Sequence, residues 1–169
     1  MIKNLLFALL AVFAINGLAQ DKSKRPSPPA QVSATINNTT VTIDYSQPSL
    51  KGRDFGSNDF HPYGKLWRNG ANEATWIQVS DEVTINGKTL PKGKYGFFVI
   101  PGKTEWTLIF NSVWDQWGSY NYDQGKDVLR VTATSNNIDS TFEKYTIQLA
   151  SDGEASLSWG SFQVRFDIQ

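Results

Sequence analysis

Cysteine is absent from these 169 residues, histidine occurs once, and basic and acidic side chains balance at 16 each. Without cysteine there is no disulfide framework, no thiolate metal site and no lipid-anchoring cysteine after an export signal. A lone His61 excludes the usual zinc sets of three or four His and Cys ligands. The balanced charge argues against nucleic acid or an anionic membrane as the main partner, since both select a basic surface. Helical periodicity is missing beyond the first nineteen residues, so no glycine-rich loop opens a helix to cradle phosphate. There is no Gly-x-Ser-x-Gly elbow either, and His61 precedes a proline in a loop, which leaves nothing to assemble a nucleophilic triad.

What remains is 40% hydrophobic and 13% aromatic, enough for the core of one domain. The first 19 residues stand apart. Met1-Ile2-Lys3-Asn4 is a short cationic start, Leu5 to Ile15 an apolar run, and Gly17-Leu18-Ala19 the small-residue end of a signal peptide, with cleavage expected after Ala19. The apolar run is shorter than the roughly 20 residues of a membrane span, so the expectation is an exported protein, periplasmic or secreted, with no span after cleavage. Residues 20–30 form a polar, proline-rich lead expected to run extended over the surface as a spacer.

From residue 31 to 169 the pattern is period 2, that of strands. Val32, Ala34 and Ile36, a turn at Asn37-Asn38, then Val41, Ile43 and Tyr45 read as a hairpin. Asn86-Gly87 is a type I′ hairpin signal. Tyr95 to Ile100 is apolar on both parities and so predicts a central strand covered on both faces, with Gly96 marking a close approach of another segment. Trp106, Leu108 and Phe110 return; Leu129, Val131 and Ala133, then Tyr145, Ile147 and Leu149, then Leu157 and Trp159, then Val164, Phe166 and Ile168 follow. About nine or ten strands predict an all-β fold, a single antiparallel β-sandwich domain, with a jelly roll as one form of it.

Two stretches carry chemistry. In Lys65 to Trp76, the residues Trp67, Arg68, Asn72, Glu73 and Thr75 crowd an indole, a guanidinium, an amide, a carboxylate and a hydroxyl into a loop that feeds a strand. On that strand Glu73 and Thr75 share a face with Ile77 and Val79, so a buried Glu73 needs a cationic partner, Arg68 first and Arg130 second. The second stretch is the long connection from Asn111 to Asp127, with Asp115, Trp117, Tyr120 and Tyr122; loops of that length are functional or disordered, and its aromatics argue against disorder. The two stretches are expected to line one pocket at one end of the sandwich and to bind a small polar molecule, a carbohydrate or a peptide, with no cofactor and no metal. Glu73 and Asp115 are the one carboxylate pair suited to a hydrolase, and a structural or protein-interaction module is the third reading. Acid pairs beside turns, Asp152 with Glu154 and Asp81 with Glu82, are too commonplace to mark a calcium site.

Several separated motifs, in order, carry a resemblance. They are Arg25-Pro26-Ser27-Pro28-Pro29, Val41-Thr42-Ile43-Asp44-Tyr45-Ser46-Gln47-Pro48, Pro62-Tyr63-Gly64-Lys65-Leu66-Trp67-Arg68, Gly70-Ala71-Asn72-Glu73-Ala74-Thr75 and Asp115-Gln116-Trp117-Gly118. Together they resemble the DUF2911 family of exported bacterial proteins across nearly the whole chain after the signal. The resemblance implies a bacterial envelope setting, in Bacteroidetes-like organisms, and brings no activity with it. His61 stands where the family pattern has an apolar residue before Pro-Tyr-Gly, which weakens a catalytic role for it.

Overall fold

The computed structural model describes residues 21–56 and 60–169; the expected signal segment, 1–19, lies outside the described residues. Nine strands appear among them: β1 (Pro29–Ile36), β2 (Thr39–Ser46), β3 (Trp76–Val79), β4 (Val83–Ile85), β5 (Lys88–Leu90), β6 (Gly93–Ile100), β7 (Glu105–Asn111), β8 (Asp127–Leu149) and β9 (Glu154–Asp167). Among the described residues helix is limited to two three-residue 3-10 turns, Lys22–Lys24 and Gln124–Lys126. The expected all-β class is what the chain adopts.

Turn chemistry sets the hairpins. Asn37 and Asn38 take φ of 47° and 69° between β1 and β2, and Asn86 and Gly87 take 47° and 76° between β4 and β5. Asparagine and glycine tolerate these left-handed values, so each turn reverses the chain in register. The long β8 merges two strands that the pattern separates. Its middle, from Asn137 to Phe142, is mostly polar and breaks the alternation, yet β9 pairs with both ends of it across a register shift.

The strands form one antiparallel sheet in the order β1-β2-β3-β6-β7-β8-β9, with β4-β5 as a separate hairpin. Apart from that hairpin the order follows the chain, so the connectivity is a meander and not the Greek keys of a jelly roll. The sheet closes on itself into a sandwich. Past β2, Leu50 N–H donates to Glu143 O at 2.9 Å and Tyr145 N–H to Pro48 O at 2.8 Å, which joins the first part of the sheet to the far end of β8. The β4 hairpin adds to the end of β9 through Ile85 and Ile168.

Inside the curl lies the main core. Val41, Ile43, Ile77, Val79, Phe97, Val99, Leu108, Phe110, Val131, Ile147, Leu157 and Phe166 are all buried there. An aromatic block with Trp67, Trp106, Tyr145 and Trp159 fills one end, where the Trp67 and Trp159 rings stack at 5.4 Å. Strands β6 and β7 are apolar on their second face too. Phe98 and Ile109 point outward and make a small separate cluster with Ala74, against which Leu66, Ile100 and Tyr122 pack. The cover over this outer face comes from the two stretches singled out above.

Gly96 shows how tightly that cover sits. A Cβ built there would stand 2.7 Å from Val113 O and 2.6 Å from the Phe98 ring, so the loop after β7 rests directly on β6. Backbone cannot give way as a side-chain tip does. Gly96→Ala is therefore expected to destabilise the fold by about 1–3 kcal/mol, the usual range for overpacking, in a urea unfolding titration. An unchanged midpoint would mean the loop does not press on β6.

Candidate functional site

The irregular backbone before β3 decides where Glu73 goes. Asn69 and Asn72 both take φ of 58°, and the regular strand begins only at Trp76. Thr75, Ile77 and Val79 are buried as the alternation predicts, but Glu73 is turned off that face with its side chain 41% exposed. Its partners are not the expected ones. Arg25 Nη1 reaches both carboxylate oxygens, at 3.0 and 2.8 Å, and Lys22 Nζ lies 3.1 Å from Oε1. Arg130 pairs with Asp127 and Arg68 lies beside Tyr120, so the expected pairing is corrected: the cations come from the lead segment that reads as a spacer. That segment is anchored at two further points, Asn72 Nδ2 donating to Ser27 O at 2.9 Å and Gln47 N–H to Pro28 O at 2.9 Å. Partial burial pushes the Glu73 carboxyl up, but its own backbone N–H together with Arg25 and Lys22 outweighs this and holds it below the usual range.

The two chemical stretches meet through the backbone. Ala74 N–H donates to Gln116 O at 2.9 Å and Gly118 N–H to Asn72 O at 3.1 Å, which places Glu73 opposite Trp117 as an antiparallel pair. In such a pair both side chains leave from one face of the ladder. Beside it is a cavity of about 180 Å³ bounded by Lys22, Arg25, Asp44, Glu73, Trp76, Trp114, Asp115 and Gln116, among others. It lies on the outer face of the sheet where β2 ends and β3 begins, because Asp44 pairs with Trp76 and both point away from the core. Gln116 contributes a buried Oε1 with no hydrogen-bond partner among the described residues.

The other expected site residues divide into four groups. Trp67 and Thr75 are interior: Trp67 Nε1 donates to Gly70 O at 2.9 Å and Thr75 Oγ1 to Asn69 O at 2.7 Å, and so they shape the loop. Asn72 ties the lead segment down as described. Tyr122 and Arg130 belong to a network centred on Asp127, whose Oδ2 accepts from Tyr122 at 2.6 Å and from Arg130 Nε at 2.7 Å. Trp117 and Tyr120 stand in solvent, 55% and 81% exposed, and Arg68 lies beside Tyr120 with a buried Nε that has no partner among the described residues. Asp44, Trp76, Trp114, Lys22 and Arg25 are the cavity residues that the sequence pattern missed. Trp76 carried a signal, being a large aromatic on the outward parity of β3, where an exposed strand face is ordinarily polar.

His61 is not at this cavity. It packs 4.8 Å from the Trp67 ring and 4.7 Å from Phe60 in the aromatic block. Burial, with the Arg68 and Arg53 charges behind it, pulls its pKa from 6.5 down to about 4. The folded state thus binds this proton less readily than the unfolded chain. His61 leaves stability untouched above pH 6.5 and costs stability progressively as the pH falls toward about 4.

Two measurements check this electrostatic reading. Because Glu73 is 41% exposed, solvent screens its pairing, and a double-mutant cycle with Arg25→Ala and Glu73→Ala is expected to give a coupling of about 1 kcal/mol. A coupling near 3 kcal/mol would indicate a buried pair, and one near zero a contact with no energetic weight. For His61, the Asn variant tolerates its positive φ of 49° and does not titrate. Between neutral pH and pH about 4 the wild type is expected to lose roughly 2–3 kcal/mol more than His61→Asn in denaturant titrations. Parallel pH profiles would show that His61 is not held neutral by its surroundings.

Neither the curated proteins nor the solved structures contain a match to this chain. A family model described as a protein of unknown function, DUF2911, matches residues 27–168, from Ser27 in the anchored lead segment through Ile168 in the last strand pairing. The chain belongs to the DUF2911 family.

Proposed function

We propose that this protein is an exported bacterial protein that binds a small polar ligand in the cavity between the lead segment, the β2–β3 face and the Trp114–Gln116 loop. The observation that carries the reading is the cavity's construction: charged, amide and indole groups from three distant segments converge on about 180 Å³. At ~30 Å³ per water this holds roughly six water molecules, the bulk of a monosaccharide or an amino acid. Convergent polar groups beside aromatic walls are how such ligands are oriented. The half-exposed Glu73 supports access from solvent.

For a hydrolase, Glu73 and Asp115 both border the cavity, and Arg25 with Lys22 holds Glu73 ionised, which bars it from the acid role of a glycosidase pair. The exposed Trp117 and Tyr120 support a second reading, in which that aromatic pair is a docking surface of an interaction module.

A thermal-shift screen of the natively exported protein with monosaccharides, amino acids and short peptides tests the main reading. A ligand at one hundred times its Kd is expected to add about 2.7 kcal/mol of stability, and the shift should vanish in Trp114→Ala and Asp115→Asn while surviving in Tyr120→Ala. Loss of the shift only in Tyr120→Ala would favour the docking surface instead. The same sample reports on export, because an intact mass starting at Gln20 is expected, and a retained 1–19 segment would overturn that part.

A further inference from the structure

The ligand's charge can be read from which polar groups around the cavity are already committed. Lys22 and Arg25, its two cations, both contact the one Glu73 carboxylate. Asp115 has neither an ion-pair nor a side-chain hydrogen-bond partner among the described residues, Asp44 accepts only a 3.2 Å bond from Gln31 Nε2, and Gln116 Oε1 is buried without a partner. Acceptors on three lining residues are thus free or weakly engaged. Two cations against three carboxylates leave the lining with a net negative charge.

The indoles add an independent observation. Trp76 and Trp114 stand with their ring centroids 6.5 Å apart and their planes at 68°, and the Lys94 ammonium lies 3.6 Å from both centroids. Lys94 comes from β6, two residues before Gly96, on the same outward face as Trp76. An ammonium over an indole face is held by the ring quadrupole, and two such faces at an angle form an aromatic cage. Here the cage is filled by the protein's own side chain, on a flexible stem able to swing out to solvent.

Resting on the reading of this cavity as a ligand site, we infer that its ligand is an organic ammonium compound, and that Lys94 is an internal surrogate which the ligand's cationic head displaces from between Trp76 and Trp114. The free carboxylate of Asp115 and the Gln116 carbonyl then meet the ammonium or a hydroxyl next to it. An anionic ligand meets a lining in which three carboxylates outnumber two cations, and a neutral sugar leaves the cage to Lys94. The displaced lysine lowers the apparent affinity, because the binding-competent state is only a fraction of the population.

Calorimetric titration with choline, against its uncharged isostere 3,3-dimethylbutan-1-ol, tests this on the folded protein, with melting temperature as the control for folding. Emptying the cage with Lys94→Ala is expected to tighten choline binding on the order of tenfold, about the weight of one desolvated cation–π contact. Lys94→Arg keeps a cation in the cage and should bind like the wild type, Trp114→Ala should lose binding, and the isostere should bind none of them. Equal choline affinity in wild type and Lys94→Ala, or equal binding of choline and the isostere, would overturn the inference. A monosaccharide that binds where choline does not would overturn it while leaving the ligand pocket standing. Failure of every probe, sugars and amino acids included, would overturn both.

Discussion

Phe98 and Ile109 face away from the main core on the two central strands, and two large apolar side chains on the outside of a sheet must be covered. Leaving such a side chain in water forfeits about 1.5–3 kcal/mol each. The chain meets this constraint with Leu66 and Ala74 from the stretch before β3 and with Tyr122 from the loop after β7. Both are irregular segments, and they can lie on a sheet only if their own backbone groups find partners. They find them in each other, through Ala74 with Gln116 and Asn72 with Gly118, and in β6, where Trp67 and Val99 exchange bonds of 2.8 and 3.0 Å. The cavity is a consequence of this arrangement. Where the cover stops short of β2, Asp44 and Trp76 are left as its floor.

The lead segment closes the remaining side, and electrostatics sets its position. Arg25 is the more buried partner of Glu73, 16% exposed against 41%, so the guanidinium is drawn inward to the carboxylate. This pairing has two effects on the site. It holds Glu73 ionised, which suits positioning and not proton donation. It also draws both cations toward one carboxylate, which leaves Asp115 and the indole faces as free chemistry around the cavity. Lys94, held between those faces, pins the Trp114 end of the loop to β6.

Much of the fold was legible because its causes are local. Period-2 alternation from Val41 to Tyr45 and from Trp106 to Phe110, the two asparagine-led turns, and the doubly apolar run from Tyr95 to Ile100 each follow from a few neighbouring residues. Gly96 signalled a close approach in the same way, and Val113 O proved to be the neighbour. The alternation misled where the backbone leaves the strand region. At Asn69 and Asn72 positive φ angles reset the parity, so Glu73 does not share the face of Ile77.

By itself the sequence determined the all-β class, the hairpin positions, the doubly covered central strand and the two stretches that carry the chemistry, since propensity, period and turn type act over a handful of residues. Tertiary structure alone decided the meander over a jelly roll, the merging of two strands into β8, and the partner of Glu73. Arg25 is separated from Glu73 by 48 residues, and from sequence every exposed cation is an equal candidate for a carboxylate. The same holds for Trp76, Trp114 and Lys94, which come from three segments and meet only once the sheet has curled and the loop has settled on it. Long-range proximity depends on how whole elements pack, and no local pattern encodes it.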